Sequence, residues 1–369
     1  MESLHNKKNT RSTKSFPFYR FEGNYREIGQ QYGESCRDLI KLHREYALER
    51  LQRSIKLNSF ADLENAALEY QPFVQKYAPF FDEEIQGLAE GANISLGEAY
   101  FLQLRAEIYQ HLDATDECTT FAVSSEATSN GIPLIGQNAD LPSFYKEVGV
   151  VIEAKTVNKP STLMVTPAGQ ISYIGINDKG LGVFANFIVC GGWRVGFPRY
   201  LLSRLALTEE NLNAAIKTVS QVYRASSRNL IMMERSGRSV DLETIPKRVG
   251  RIDSSNGLLE HSNHFISEEL KVEERKIDEE LENSEIRLLR MRELLRGSYG
   301  QLNVEKMQTI LRDRKNAPHT LCRVPGDFGK DYGKDTITFA SVIAEPSKGR
   351  LWIAIGPPNE YEYKCYSFL

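Results

Sequence analysis

Between residues 24 and 53 apolar side chains recur at spacings of three and four (Ile28, Tyr32, Leu39, Leu42, Tyr46, Leu51), which predicts a long amphipathic helix. A second helix is expected at 80–90. A third begins at Ser95, where Glu98 completes a capping box ahead of the apolar run 99–108. Near residue 117 the pattern changes. Short runs rich in β-branched residues follow at 118–124, 132–137, 149–155 and 162–166, and Asn130-Gly131 supplies a hairpin turn. Residues 171–176 and 181–188 flank a second turn at 177–180. Helices are expected at 198–207 and 209–222, then strands at 229–234, 239–244 and 247–252. The charged stretch 267–296, with leucines at helical spacing, reads as an amphipathic helix with a solvated face. A short helix at 304–312 and strands at 336–343, 350–355 and 362–368 complete the chain.

The order is helices, strands, helices, strands. Strict βαβ alternation is missing, so a doubly wound parallel sheet is excluded. The pattern predicts an α+β fold in which two antiparallel sheets carry helices on their outer faces. Three segments are expected: a disordered basic tail at 1–19 (Lys7, Lys8, Arg11, Lys14), a helical segment at 20–117, and a strand-rich segment at 118–369 that packs with the helical one as a single unit.

Composition narrows the function. The formal charge of −3 provides no basic face for nucleic acid. No run of about 18 apolar residues predicts a membrane span, and residues 1–15 lack the apolar stretch of a secretory signal. The five cysteines are odd in number and widely spaced, with no CxxC pair. That pattern argues against a zinc site and for free thiols in a reducing cytoplasm. Gly175, Gly180 and Gly182 precede a strand-like run, so they lack the strand–turn–helix setting of a phosphate loop.

Cys118 stands where the helical part ends and the first strand begins. A thiol there has a specific use. It can attack the preceding carbonyl, convert the Glu117–Cys118 peptide to a thioester, and leave a free amine on Cys118 after hydrolysis. An α-amine titrates near pH 7.7–8.0, so the new terminus carries its own base for the thiol. The competing reading of the cysteine alone is a small buried hydrophobe.

Seven segments extend the argument: EIQGLAEGA at 84–92, LRAE at 104–107, DECTT at 116–120, IGQNAD at 135–140, IGINDKGLGV at 174–183, HSNH at 261–264 and GPP at 356–358. In this order they resemble the isopenicillin N acyltransferase family (peptidase family C45) of the N-terminal-nucleophile hydrolases, over roughly residues 20 to 369. The resemblance implies an αββα four-layer sandwich, self-cleavage between Glu117 and Cys118, and no cofactor. It implies a small N-acyl amide as substrate, with an acyl-CoA as candidate donor, and two fragments that stay associated. The family usually has glycine just before the nucleophile. Glu117 departs from that pattern and is expected to slow the rearrangement.

The same resemblance assigns further residues. Asp140 contacts the terminal amine, Asn263 donates to the oxyanion, Asn186 completes the oxyanion hole, and Arg323 lies near the nucleophile, where it can pair with Asp140 or a substrate carboxylate. His261 and His264 are read as supports of the Asn263 loop, and Arg105 and Glu107 as interior anchors of the cleavage segment. Two alternatives remain at this level: a papain-like triad of Cys118, His264 and Asn263, and an uncleaved binding protein without catalysis.

Overall fold

The computed structural model describes residues 11–54, 59–109, 117–327 and 336–369. Residues 1–10 of the expected tail, residues 115–116 of the cleavage segment and the Arg105 side chain lie outside the described residues.

The first strand, β1, spans Phe18–Gly23. Asn24 then caps α1 (Tyr25–Ser35): its side chain accepts from the Glu27 amide, and Glu27 accepts in return from the Asn24 amide. The single helix expected over 24–53 is broken at Cys36, whose backbone (φ −112°, ψ 16°) is not helical, and it resumes as α2 (Arg37–Ser54). Two short helices that the pattern did not mark follow, α3 (Phe60–Leu68) and α4 (Gln71–Tyr77). The expected pair comes next, α5 (Pro79–Ala92) and α6 (Leu96–Tyr109), the latter with its Ser95–Glu98 box formed.

Helix α1 lies directly on α5 through glycines. A Cβ on Gly29 would stand 2.1 Å from the Glu84 carbonyl oxygen, and one on Gly87 2.1 Å from that of Arg26. Only hydrogen fits at such a crossing. This accounts for the glycine spacing in EIQGLAEGA.

The remaining elements are β2 (Glu117–Val123), β3 (Leu134–Pro142), α7 (Tyr145–Val148), β4 (Gly149–Thr156), β5 (Thr162–Pro167), β6 (Ile174–Asn177), β7 (Gly182–Asn186), α8 (Arg199–Leu207), α9 (Leu212–Gln221), β8 (Arg228–Met233), β9 (Ser239–Thr244), β10 (Val249–Asp253), β11 (Leu258–His261), α10 (Asp278–Gly297), α11 (Val304–Leu311), β12 (Thr336–Glu345), β13 (Arg350–Ile355) and β14 (Lys364–Ser367). They form two sheets. One has eight strands in the order β1-β4-β5-β6-β7-β8-β9-β10; the other has six, β11-β2-β3-β12-β13-β14. Every pairing is antiparallel except β1 with β4.

Strand alternation sorts side chains into three apolar layers. Between the sheets, Ala122, Ile135 and Val342 meet Leu163, Phe184 and Ile231. On the outer face of the eight-stranded sheet, Ile152, Met164, Val183 and Leu242 pack under helical residues such as Ile28, Ile40, Leu88 and Leu205. On the outer face of the six-stranded sheet, Phe121, Val123 and Ile343 pack under Met291, Leu295 and Met307. The result is the expected αββα sandwich.

Two expectations are corrected. Residues 11–19 are not a loose tail: Ser12 bridges to Tyr361, Arg11 pairs with Glu362, and Phe16 is buried. Burying Phe16 and pairing backbone groups outweighs the local polarity that suggested disorder. The stretch 267–296 is α-helical only from Asp278 onward, after a single 3-10 turn at Lys271–Glu273, and α10 buries Asn283, Ser284 and Arg287 as well as Leu288, Met291 and Leu295. Its charge belongs to the outer face, while its inner face is polar at one end. Among the described residues, no helix is long and apolar enough to cross a membrane, and no group of three metal-binding side chains occurs.

Candidate active site

Cys118 is the second residue of β2 and is 3 % exposed. Alternation points its side chain, like that of Ala122, into the layer between the sheets. Its neighbour Glu117 faces the other way, toward α10, on the side of Phe121 and Val123. The Cys118 backbone is gripped by side chains from three elements. Its N–H donates to Asn263 Oδ1 at 2.8 Å. Its carbonyl accepts from Arg287 Nη1 at 2.8 Å and from Asn186 Nδ2 at 3.2 Å.

Each gripping residue is itself held. Asn263 Oδ1 also accepts from Arg287 Nη2 at 2.9 Å, and its Nδ2 donates to the Phe187 carbonyl at 2.8 Å. Asn186 Oδ1 accepts from Asn229 at 3.1 Å, and its Nδ2 also reaches the His261 carbonyl at 3.4 Å. Asn263 lies within the loop after β11 that Glu243 staples on both sides: the carboxylate takes His261 Nε2 at 2.9 Å, the Ile266 amide at 2.6 Å, the Ser267 amide at 3.1 Å and the Ser267 hydroxyl at 2.5 Å.

On the outer face of the six-stranded sheet lies a buried ionic cluster. Glu117 Oε2 accepts from Arg323 Nη2, from Arg287 Nη2 at 3.1 Å and from Asn283 Nδ2 at 3.2 Å, while Lys276 Nζ is 3.8 Å from Oε1. Asp140 is the cross-strand partner of Glu117 in the β2–β3 ladder. Its Oδ1 accepts from the Thr338 hydroxyl at 2.6 Å, and its Oδ2 is 3.7 Å from Arg323 Nε. Thr338 reaches Asp140 because the β12 register slips between Thr338 and Ala340. The extra residue, Phe339, packs between the sheets and leaves Thr338 on the Asp140 side.

Electrostatics separates the two carboxyls. Burial opposes ionisation of Glu117, yet the charges of Arg323, Arg287 and Lys276 overcome it and hold its pKa down at about 2. For Asp140 burial wins over the same arginines, and its pKa is pushed up to about 6. His261 keeps its proton to about pH 9: burial works against the charge, but Asp241 and Glu243 more than compensate. His264 is the reverse. Burial and the charges of His261 and Arg287 push it down to about 3, and its Nδ1 pairs with Ser284 at 2.8 Å.

Five of the residues named from sequence therefore meet in space: Glu117, Cys118, Asp140, Asn263 and Arg323 share one network, and Asn186 joins it through the Cys118 carbonyl. Glu107 is buried against the start of α8 and the segment before β8, with Oε1 accepting from the Arg199 amide at 3.0 Å and the Ser226 hydroxyl at 2.9 Å. Sequence reasoning missed Arg287, Asn283, Ser284 and Lys276. The available signal was Asn283 and Arg287 at i, i+4, in register with Met291 and Leu295 on one helix face. It was masked because polar residues on a charged helix ordinarily face water.

A four-layer αββα sandwich with a buried cysteine at the head of an inner strand defines the class; similarity defines the family. The chain belongs to the acyl-coenzyme A:6-aminopenicillanic acid acyl-transferase family, which matches residues 127–360. It is 29% identical over 348 residues to the acyl-coenzyme A:6-aminopenicillanic-acid-acyltransferase 40 kDa form of Emericella nidulans, covering 92% of each chain. Among solved structures, it is similar to a variant of conjugated bile acid hydrolase from Clostridium perfringens (TM-score 0.48, 14% identity, 68% of this chain and 97% of that one). It is also similar to penicillin V acylase from Agrobacterium tumefaciens (TM-score 0.43, 12% identity, 64% and 83%).

Proposed function

We propose that this protein is a self-cleaving acyltransferase or amide hydrolase whose nucleophile is Cys118. The observation that carries the reading is the three-sided grip on the Cys118 backbone by Asn263, Asn186 and Arg287. A nucleophile that relies on its own α-amine as base needs that amine fixed relative to the thiol, and the grip serves this need.

Maturation proceeds by acyl shift. The Cys118 thiol adds to the Glu117 carbonyl, the C–N bond breaks, and the thiol proton ends on the departing nitrogen. Water opens the thioester, leaving a Glu117 carboxylate and an N-terminal Cys118. In turnover the α-amine takes the thiol proton, the sulfur attacks the substrate acyl carbon, and the amine product leaves with the proton. Water or an acceptor amine then receives the acyl group. A thioester donor such as an acyl-CoA enters by the same attack, with the CoA thiol leaving in place of an amine.

Asn263 holds the amine through Oδ1, and the second N–H of its Nδ2 is the donor assigned to the oxyanion. Asn186 is assigned to anchoring Cys118 rather than to the oxyanion, since its Nδ2 is directed to two backbone carbonyls. Asp140 and Arg323 set the charge beside the amine. The two fragments stay together in this reading: β1 remains paired with β4, and Glu84 remains bound to Arg204 at 2.5 Å.

Intact-mass measurement of the purified protein tests the proposal. Wild type should yield fragments 1–117 and 118–369, and Cys118→Ala a single chain. An unsplit wild-type chain that still releases amine from N-acyl amides would sink the reading.

A further inference from the structure

Glu117 is buried at the head of β2, and its carboxylate is held by side chains from separate parts of the chain: Arg287 and Asn283 of α10, Arg323 ahead of β12, and Lys276 ahead of α10. Arg287 also reaches across the Glu117–Cys118 bond. Its Nη2 donates to Glu117 Oε2 at 3.1 Å and to Asn263 Oδ1 at 2.9 Å, and that same Oδ1 accepts from the Cys118 N–H at 2.8 Å. Its Nη1 donates to the Cys118 carbonyl at 2.8 Å. The acyl side of the bond is tied through its side chain, and the amine side through its N–H and carbonyl, to one buried guanidinium. The planar fork of arginine suits it to holding several acceptors in fixed directions.

The consequence rests on the self-cleavage proposed above, in which the Cys118 thiol adds to the Glu117 carbonyl. The two groups belong to adjacent residues, so their meeting is limited by how the Glu117 carbonyl is oriented toward the sulfur. The Glu117 side chain points away from the thiol, onto the outer face of the sheet, and it forms and breaks no bond in the step. Fixing its Cα–Cβ direction at the head of the strand limits how far the carbonyl next to it can rotate. Glycine has no such handle and a wider range of backbone angles. The bulk expected from sequence to slow the rearrangement therefore lies outside the path of the thiol, and the carboxylate is an anchor.

We propose that Glu117 is a positioning residue for self-cleavage: held by Arg287, Arg323, Lys276 and Asn283, its carboxylate sets the Glu117–Cys118 bond for attack, so that maturation is faster with glutamate than with glycine before the nucleophile. The test follows newly made full-length chain from cell-free synthesis and times the appearance of the 118–369 fragment in the soluble fraction. Glu117→Gly should mature about tenfold or more slowly than wild type. Glu117→Gln, which keeps an acceptor for the arginines, should recover part of that rate. Glu117→Leu, similar in size but without an acceptor, should not. A glycine variant that matures as fast as wild type or faster overturns the proposal, and so does a leucine variant as fast as the glutamine one. Gly87→Ala, strained at the α1–α5 crossing, separates positioning from folding. It should mature at close to the wild-type rate; a slowing equal to that of Glu117→Gly would trace the effect to folding and overturn the proposal. Failure of the cleavage reading is distinct, since the wild-type chain itself would then stay whole.

Discussion

Glu117 and Asp140 face each other across the β2–β3 ladder, yet their buried carboxyls titrate far apart: the charges of Arg323, Arg287 and Lys276 overcome burial and hold Glu117 at about 2, whereas burial pushes Asp140 up to about 6. Their contributions to stability therefore have opposite pH dependence. Glu117 lies below its ordinary 4.5, so its stabilisation is complete above that pH and is lost as pH falls toward 2. Asp140 lies above its ordinary 3.8, so its contribution is complete below that value and is lost as pH rises through 6. Urea unfolding of Cys118→Ala, which keeps the chain whole, should show this. Adding Glu117→Gln should lower stability at pH 7 and have progressively less effect toward pH 3. Adding Asp140→Asn should flatten the decline between pH 4 and 6.

Arg287 bonds to Glu117, Cys118, Thr119 and Asn263 at once. Arg287→Met should destabilise the chain by about 3–5 kcal/mol, the range for removing one partner from a buried ionic pair. It should also slow self-cleavage, since the Cys118 carbonyl and Asn263 lose a shared donor. Denaturant melts and the time course of the 118–369 fragment would check both. Wild-type cleavage kinetics in the variant would contradict the role given to Arg287.

Glu243 acts on the site at one remove, through the loop that carries Asn263. Glu243→Ala should cost about 3–5 kcal/mol and lower the cleavage rate, because His261, Ile266 and Ser267 lose their common acceptor. His261 is raised to about 9 with this pair and Asp241, so the stabilisation is full below pH 6.5 and fades as pH rises through 9. Wild type should lose stability over that alkaline range, and Glu243→Ala should lose less.

Gly87→Ala places a methyl 2.1 Å from the Arg26 carbonyl. The α1–α5 crossing must open, at a cost of about 1–3 kcal/mol or more. A lowered melting temperature is expected in Cys118→Ala and wild-type backgrounds alike. An unchanged melting temperature would mean that the helices separate freely.

Much of this was legible in the chain. The change from helical period to strand period near residue 117 placed Cys118 at the head of a strand, and β2 begins there. Asp140 and Asn263 followed from short motifs whose order matches a family. The inner face of α10 was not legible. Asn283 and Arg287 read as solvated because amphipathicity tells which residues share a face, and here the buried face is partly polar. From the sequence Glu117 is expected only to slow the rearrangement, whereas its carboxylate is the centre of the ionic cluster. Lys276 lies in a stretch expected to be helical that is irregular up to Asp278, so its burial had no periodic signal.

By itself the sequence determined the local periods, the Ser95–Glu98 capping box and the position of one cysteine at a junction, since each depends on residues a few places apart. Tertiary structure alone decided which charges share a site. Residues 117, 140, 276, 287 and 323 come from separate elements, and their titration depends on through-space distance and on exclusion of water, neither of which is written in chain order.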